Sequence, residues 1–278
     1  MIAYVNNAFL EEESATIGIR DLAIQRGYAV FDFFRIRNNI PLFLNDYLDR
    51  FYSSAMHLRL EPTINRDELT AVIHELISRN SLPNSGIRMV LTGGYSQDSF
   101  EPTTPNLIIT QQEINLLTNE RFVKGMKVIT HEYVRMMPEI KSINYLMGIW
   151  LLDKIKEKEA EDVLFYCNGL VSEFPRSNVF IVTKDDVIVT PADNVLKGIT
   201  RMKLLPVAAN KFRVEERDVT LEELKNAAEV FMTSTTKRIL PITQVDDRVI
   251  GNGLAGRISY ILTEDFIRME DEFLVISD

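Results

Sequence analysis

The sequence predicts an α+β protein in two parts. Short β-prone segments alternate with two amphipathic helical stripes up to about residue 111, and strand signals dominate beyond it. The chain has 278 residues, of which 46% are hydrophobic and 26% charged. At about 150 residues per domain this means two small domains or one large one, with enough apolar surface to bury a core.

In chain order, Ile2–Val5 reads as a strand, followed by the turn pair Asn6-Asn7 and a second strand starting at Ala8. Ala29–Ile36 (AVFDFFRI) is aromatic and β-prone, with a turn at Asn38-Asn39 and a short strand IPLFL after it. Asn45 is placed as the cap of a helix to about Leu60, because Leu48, Phe51, Tyr52, Ala55 and Met56 form one stripe. A second helix is expected over 66–79, where Asn65 and Glu68 have capping-box spacing and Leu69, Val72, Ile73, Leu76 and Ile77 line one face. Strands IRMVLT and NLIIT flank the loop 93–105, and residues 112–126 read as a connection. Strands VITHEYVR, DVLFYC, SNVFIV and VIVT follow, with Asn168-Gly169 as the strongest hairpin marker. Helices are expected over 144–158, 198–210 and 254–269, the middle one ended or kinked by Pro206. Trp150, Leu151 and Leu152 are read as a core face, Cys167 as a small buried hydrophobe, and 153–162 as a solvated helix end.

Several function classes are disfavoured. A net charge of −9 without a basic cluster argues against a nucleic-acid binder or a surface that seeks anionic lipid. One cysteine, Cys167, excludes an intramolecular disulfide framework and multi-cysteine metal sites. His57 and His74 lack ligand partners at helical spacing and His131 stands alone, so no metal is expected. No apolar run approaches the roughly 20 residues of a membrane helix, and the N-terminal stretch does not read as a secretion signal. A cytoplasmic protein is expected.

Four features carry chemistry. Lys141, between Ile140 and Ser142-Ile143, is either a partly desolvated reactive amine or a lysine snorkelling at a strand end. Glu173 is either a fixed carboxylate able to hold a protonated heterocyclic nitrogen or an exposed turn acid. Gly198 opens a helix whose first amides, on Ile199 and Thr200, suit an anion. TSTTKR, residues 233–238, places four hydroxyls in a row. Taken singly, each has an ordinary capping or surface explanation. Together they match what pyridoxal 5′-phosphate requires: an amine for its aldehyde, an acid for its ring nitrogen and donors for its phosphate.

The strings DYLDRFYSSA, KSINY, LVSEFPRSNVF, VLKGITR and TSTTKRILPI, in that order, resemble the class IV (fold-type IV) aminotransferases. That family includes D-amino-acid aminotransferase, branched-chain aminotransferase and aminodeoxychorismate lyase. The resemblance runs from about Ala3 to Ile267. It implies a two-domain fold with an N-terminal α/β sandwich, residues 1–115, and a β-rich, barrel-like cofactor domain, residues 116–278. It assigns Lys141 to the aldimine with the cofactor, Tyr145 to its phenolic oxygen and Glu173 to its pyridine nitrogen. Arg50, Ile199, Thr200, Thr235 and Thr236 are assigned to the phosphate. A homodimer is implied as well.

The implied activity is transfer of an amino group between a small amino acid, D- or branched-chain, and a 2-oxo acid. The alternative is elimination of pyruvate from aminodeoxychorismate on the same scaffold. Arg35, Arg88, Tyr95 and Tyr28 are the candidates for the substrate carboxylate. The sequence also departs from the family pattern. In RGYAVFD, Tyr28 replaces an acid, Ala29 a glycine and Asp32 a glutamate; Thr92-Gly93-Gly94 lacks an arginine, and Tyr47 stands where a histidine is common. These departures are read as falling in the substrate half.

Overall fold

The computed structural model describes residues 1–277, which fall into two compact units. Met1–Asn115 and Ile140–Asn144 belong to the first; Leu116–Glu139 and Tyr145–Ile276 make up the second. Among the described residues, no helix is long and apolar enough to cross a membrane.

The first unit contains β1 (Ile2–Val5), β2 (Ala8–Glu11), α1 (Leu22–Arg26), β3 (Ala29–Arg37) and β4 (Ile40–Pro41). These are followed by α2 (Leu44–His57), α3 (Arg66–Asn80), β5 (Ser85–Thr92) and β6 (Leu107–Glu113). The strands form one sheet in the order β2-β1-β6-β5-β3-β4, and every pairing is antiparallel. The hairpin turns use asparagine where φ must be positive: 44° and 68° at Asn6-Asn7, and 53° and 65° at Asn38-Asn39. Alternation along β3 sends Phe34 towards α2, where its ring lies 5.6 Å from that of Tyr47. Phe31 and Phe33 take the opposite face. The capping box of α3 is present, with Asn65 and Glu68 each accepting the other's backbone N–H. Leu69, Ile73, Leu76 and Ile77 are buried along that helix, each contributing about 1.5–3 kcal/mol by leaving water.

Ile140–Asn144 joins this sheet as a short extended strip beside the β3 end that β4 leaves open. Phe31 donates its N–H to the Lys141 carbonyl (3.0 Å), and Ile143 donates to Ala29 (3.2 Å). Ser142 bridges antiparallel to Val30.

The second unit begins with α4 (Asn119–Lys124), β7 (Met126–Glu132), α5 (Leu146–Trp150), α6 (Leu152–Glu157) and β8 (Asp162–Cys167). Then come β9 (Leu170–Val171), β10 (Glu173–Phe174), β11 (Ser177–Val182), β12 (Ile188–Thr190), α7 (Ile199–Ala209) and β13 (Val214–Glu216). It ends with α8 (Leu221–Lys225), β14 (Glu229–Ser234), β15 (Arg238–Val245), β16 (Arg248–Val249) and α9 (Arg257–Ser277). Eight of its strands run in the order β13-β12-β11-β14-β15-β7-β8-β9, with β10 paired to β11 and β16 to β15. The sheet curls on itself. Val171 of β9 donates to the carbonyl of Val219, just past β13 (2.8 Å), and strands from both ends share one core that includes Val128, Leu164, Val171, Val189 and Met232. The outer face of β11 and β14 packs against α7 and α9 through Phe180, Phe231, Leu204 and Phe266.

Several local expectations are corrected. Asn45 does not cap α2; the N-cap is Phe43 in the left-handed region, which brings Leu44 into the core. The helix stops at His57, and IPLFL pairs only at Ile40–Pro41. Residues 112–126 contain α4. The helix expected over 144–158 breaks at Leu151, whose burial anchors both pieces. Trp150 (69% exposed) and Leu152 (47%) face outward, so the three residues are not a core face. Pro206 does not stop α7. It lies on the exposed side, where water can take the carbonyl its missing N–H leaves free. The last helix starts at Arg257, three residues later than expected. Cys167 is half-buried.

Candidate active site

In the second unit the site is built around one peptide, Leu196. Glu173 lies on β10 opposite Asn178 of β11 and is 4% exposed, which removes the exposed-turn reading. Its Oε1 accepts from Arg135 Nε at 2.6 Å, and its Oε2 from the Leu196 N–H at 2.9 Å. The Leu196 carbonyl in turn accepts from Asn178 Nδ2 (2.7 Å) and the Gly198 N–H (2.9 Å). Gly198 is the N-cap of α7 and brings no side-chain cap. The first-turn amides therefore point outward with the helix dipole behind them. No acidic residue stands in that turn. A Cβ at position 198 would sit 2.2 Å from Asn178 Oδ1, so only glycine fits.

Next to Asn178 across the β11–β14 pair stands Thr233. Its Oγ1 and the Oγ of Ser177 are buried and have no hydrogen-bond partner. The Thr233 hydroxyl, on the sheet face that α7 packs against, is an unfilled requirement for an acceptor-rich group. A fixed carboxylate, open amides and spare hydroxyls fit a phosphorylated pyridine aldehyde, and a phosphate is the group that satisfies the donors. Ile199 and Thr200, both buried, open α7 as expected. Thr235 and Thr236 lie on the β14–β15 turn. Thr236 lines a cavity of about 320 Å³ with Phe122, Ile239 and Tyr260. Tyr145 precedes α5 and is half-buried.

In the first unit Lys141 extends from the strip beside β3. Its N–H donates to Ser54 Oγ (3.2 Å), and its Nζ stands 4.6 Å from the centroid of the Phe31 ring. The Arg88 guanidinium lies 5.3 Å from the same ring and 5.5 Å from Phe33. Lys141 and Arg88 thus share one aromatic surface. Arg50 on α2 forms a two-bond pair with Asp32, Nε to Oδ2 at 2.9 Å and Nη2 to Oδ1 at 2.6 Å. Asp32 is fully buried. Asp32 therefore acts on the orientation of Arg50. The two parallel bonds fix the plane and direction of the Arg50 guanidinium.

The other substrate candidates are dispersed. Arg35 is 4% exposed, opposite Gly86. Tyr28 donates its hydroxyl to the Leu58 carbonyl at 2.5 Å. Tyr95 is 44% exposed, and its hydroxyl accepts from the Gly18 N–H at 3.3 Å. Tyr47 is a core residue with Arg50 over its ring at 5.3 Å.

Sequence reasoning does not single out Arg135. The available signal is the buried acid itself: a carboxylate in a strand core needs a cationic partner. No spacing rule says which arginine provides it. Among the described residues, no group of three or more His, Cys, Asp or Glu side chains could hold a metal ion.

Comparison with known proteins gives one consistent result. The family model for amino-transferase class IV matches residues 29–245. A D-alanine aminotransferase of Listeria monocytogenes serotype 4b (strain F2365) is 34% identical, over 96% of this chain and 95% of that protein. The D-alanine aminotransferase of Bacillus licheniformis is 30% identical, over 91% and 92%. Among solved structures, the T.th. branched-chain amino acid aminotransferase with pyridoxamine 5′-phosphate superposes with a TM-score of 0.90. The two are 27% identical, with 97% of this chain and 93% of that one covered.

Proposed function

Because this chain belongs to the class IV aminotransferase family, an enzyme family that works with pyridoxal phosphate, we propose that it moves the amino group of a small D-amino acid onto a 2-oxo acid. The D-alanine aminotransferases among its relatives support the choice of the D series over branched-chain L-amino acids. The observation that carries the cofactor reading is the Leu196 peptide, which links buried Glu173 to the open start of α7.

When bound, the cofactor supplies an aldehyde for the amino group and a ring that withdraws electrons from the substrate's α-carbon. Lys141 would be the residue that holds the aldehyde, and its amine the group that moves the proton at the substrate's α-carbon. Glu173 holds a proton on the ring nitrogen, and Arg135 keeps the carboxylate oriented for this. Tyr145 donates to the phenolic oxygen. Ile199 and Thr200 bind the phosphate through backbone and hydroxyl donors, with Arg50, Thr235 and Thr236 as further contacts. Arg88 receives the substrate carboxylate, since it shares the Phe31 ring with Lys141.

The protein acts as a homodimer. Leu146 (74% exposed), Ile149 (64%) and Trp150 (69%) leave one side of α5 apolar and open, and a second copy covers it. Light scattering at the monomer mass contradicts this.

The test is a donor screen on D and L panels with pyruvate and 2-oxoglutarate as acceptors. Formation of alanine or glutamate from a D-amino acid supports the reading, and pyruvate release from aminodeoxychorismate without transfer overturns it. Borohydride should fix a phosphopyridoxyl mass on the 141 peptide in the parent and none in Lys141→Ala; an unchanged adduct elsewhere removes Lys141 from its role.

A further inference from the structure

Asp21 is a fully buried acid that the chemistry above does not use. It is the N-cap of α1, and its Oδ1 accepts the Ala23 N–H at 2.7 Å. Capping needs one oxygen, and serine, threonine or asparagine would serve as well. A carboxylate withdrawn from water is costly unless both oxygens are bonded. The second oxygen therefore identifies the function. Oδ2 accepts from Thr92 Oγ1 (2.6 Å) and Asn106 Nδ2 (2.7 Å). Thr92 is the last residue of β5, and Asn106 immediately precedes β6. They are the two feet of the loop 93–105, and Asp21 grips both.

Backbone bonds continue the grip. The Leu22 N–H donates to Gly94 (3.0 Å), Ser96 to Arg20 (3.2 Å) and Gly93 to Tyr28 (2.9 Å). Asp21 also bridges Tyr95. Gly94, at φ +77°, lies so close to the returning loop that a Cβ would be 2.2 Å from the Thr104 carbonyl. Asn106 passes the network on, its Oδ1 accepting from Asn6 Nδ2 at 2.6 Å.

We infer that Asp21 is a positioning residue for substrate recognition, locking the 15–28 segment and the 93–105 loop into one recognition surface. The inference rests on the aminotransferase reading for its kinetic arm only. The surface carries Tyr28 and Tyr95, and it ends where β5 presents Arg88 four residues before Thr92. Without the carboxylate the donors of Thr92 and Asn106 face no acceptor, and the loop feet part.

The test compares Asp21→Asn with the reciprocal exchange Asp21→Asn/Asn106→Asp. The single change sets an amide donor against two donors. The exchange restores one donor to one acceptor between positions 21 and 106, and leaves an acceptor for Asn6. In the single variant KM for donor and acceptor should rise about tenfold, the scale of one lost buried hydrogen bond. Its kcat and bound-cofactor absorbance should stay within about twofold. The exchange should recover KM to within about threefold. Hydrogen exchange on the cofactor-loaded protein gives an arm independent of turnover. The amides of Leu22, Gly94 and Ser96 should exchange faster in Asp21→Asn while those of α3 do not change. An unchanged KM, a loss confined to kcat, or equal exchange in both segments overturns the inference. If the parent transfers no amino group, the aminotransferase reading falls, while the exchange result still decides the lock.

Discussion

Arg135→Met is the most informative perturbation of the site. Arg135 and Glu173 are paired at 2.6 Å with side-chain exposures of 11% and 5%, so about nine-tenths of the pair is out of water. Removing one partner of a buried pair costs about 3–5 kcal/mol, because the other charge stays behind without compensation. The Leu196 N–H still reaches Oε2, and the methionine fills much of the arginine stem. The lower end, about 3 kcal/mol, is therefore expected. For a unit of this size that is a fall of roughly 6–12 °C in Tm. Glu173→Gln should cost less, and the double variant should regain most of the loss, since no charge remains buried. Thermal unfolding by circular dichroism on all four proteins yields the coupling energy, expected at about 2 kcal/mol. The double variant should recover stability but not turnover, because a neutral amide cannot hold the ring nitrogen protonated. A single-variant loss under about 1 kcal/mol, or no coupling, would show that Arg135 is not what holds the carboxylate.

Two further outcomes follow from local geometry. Gly198→Ala places a Cβ 2.2 Å from Asn178 Oδ1 and must break the 2.7 Å bond that fixes Leu196; cofactor titration of the apoprotein should show affinity reduced at least about tenfold, and a change within about twofold would remove the cradle from position 198. Asp98, in the loop 93–105, is held at a pKa of about 2 by the N–H groups of Glu101 and Phe100 and the hydroxyl of Ser96. With the folded value below the unfolded 3.8, its contribution is complete above about pH 4 and fades as pH falls towards 2. Carboxyl carbon shifts by NMR should titrate with a midpoint near 2, and a midpoint near 4 would show that the turn does not grip the carboxylate.

How much of this can be read from the chain differs by element. α3 is legible because its signals agree: Asn65 and Glu68 at capping spacing, and an apolar stripe in phase with them. α2 is displaced by two residues because burial of Leu44 outweighs the capping preference of Asn45. Lys141, Glu173 and the start of α7 stand out through motif order, since covalent chemistry and phosphate binding demand particular side chains. Arg135 and Asn178 do not. Their roles depend on which strands lie side by side, and the Asn178–Thr233 register joins residues 55 positions apart.

The same limit explains why Asp32 is misplaced by its sequence neighbours. Read along the chain, it interrupts a family pattern in the segment next to Tyr28 and so looks like a change in what the enzyme recognises. In the fold, Asp32 on β3 meets Arg50 from α2. A carboxylate with no exposed surface cannot select a substrate; it can only fix what it bonds. The departure at position 32 therefore bears on how Arg50 is held.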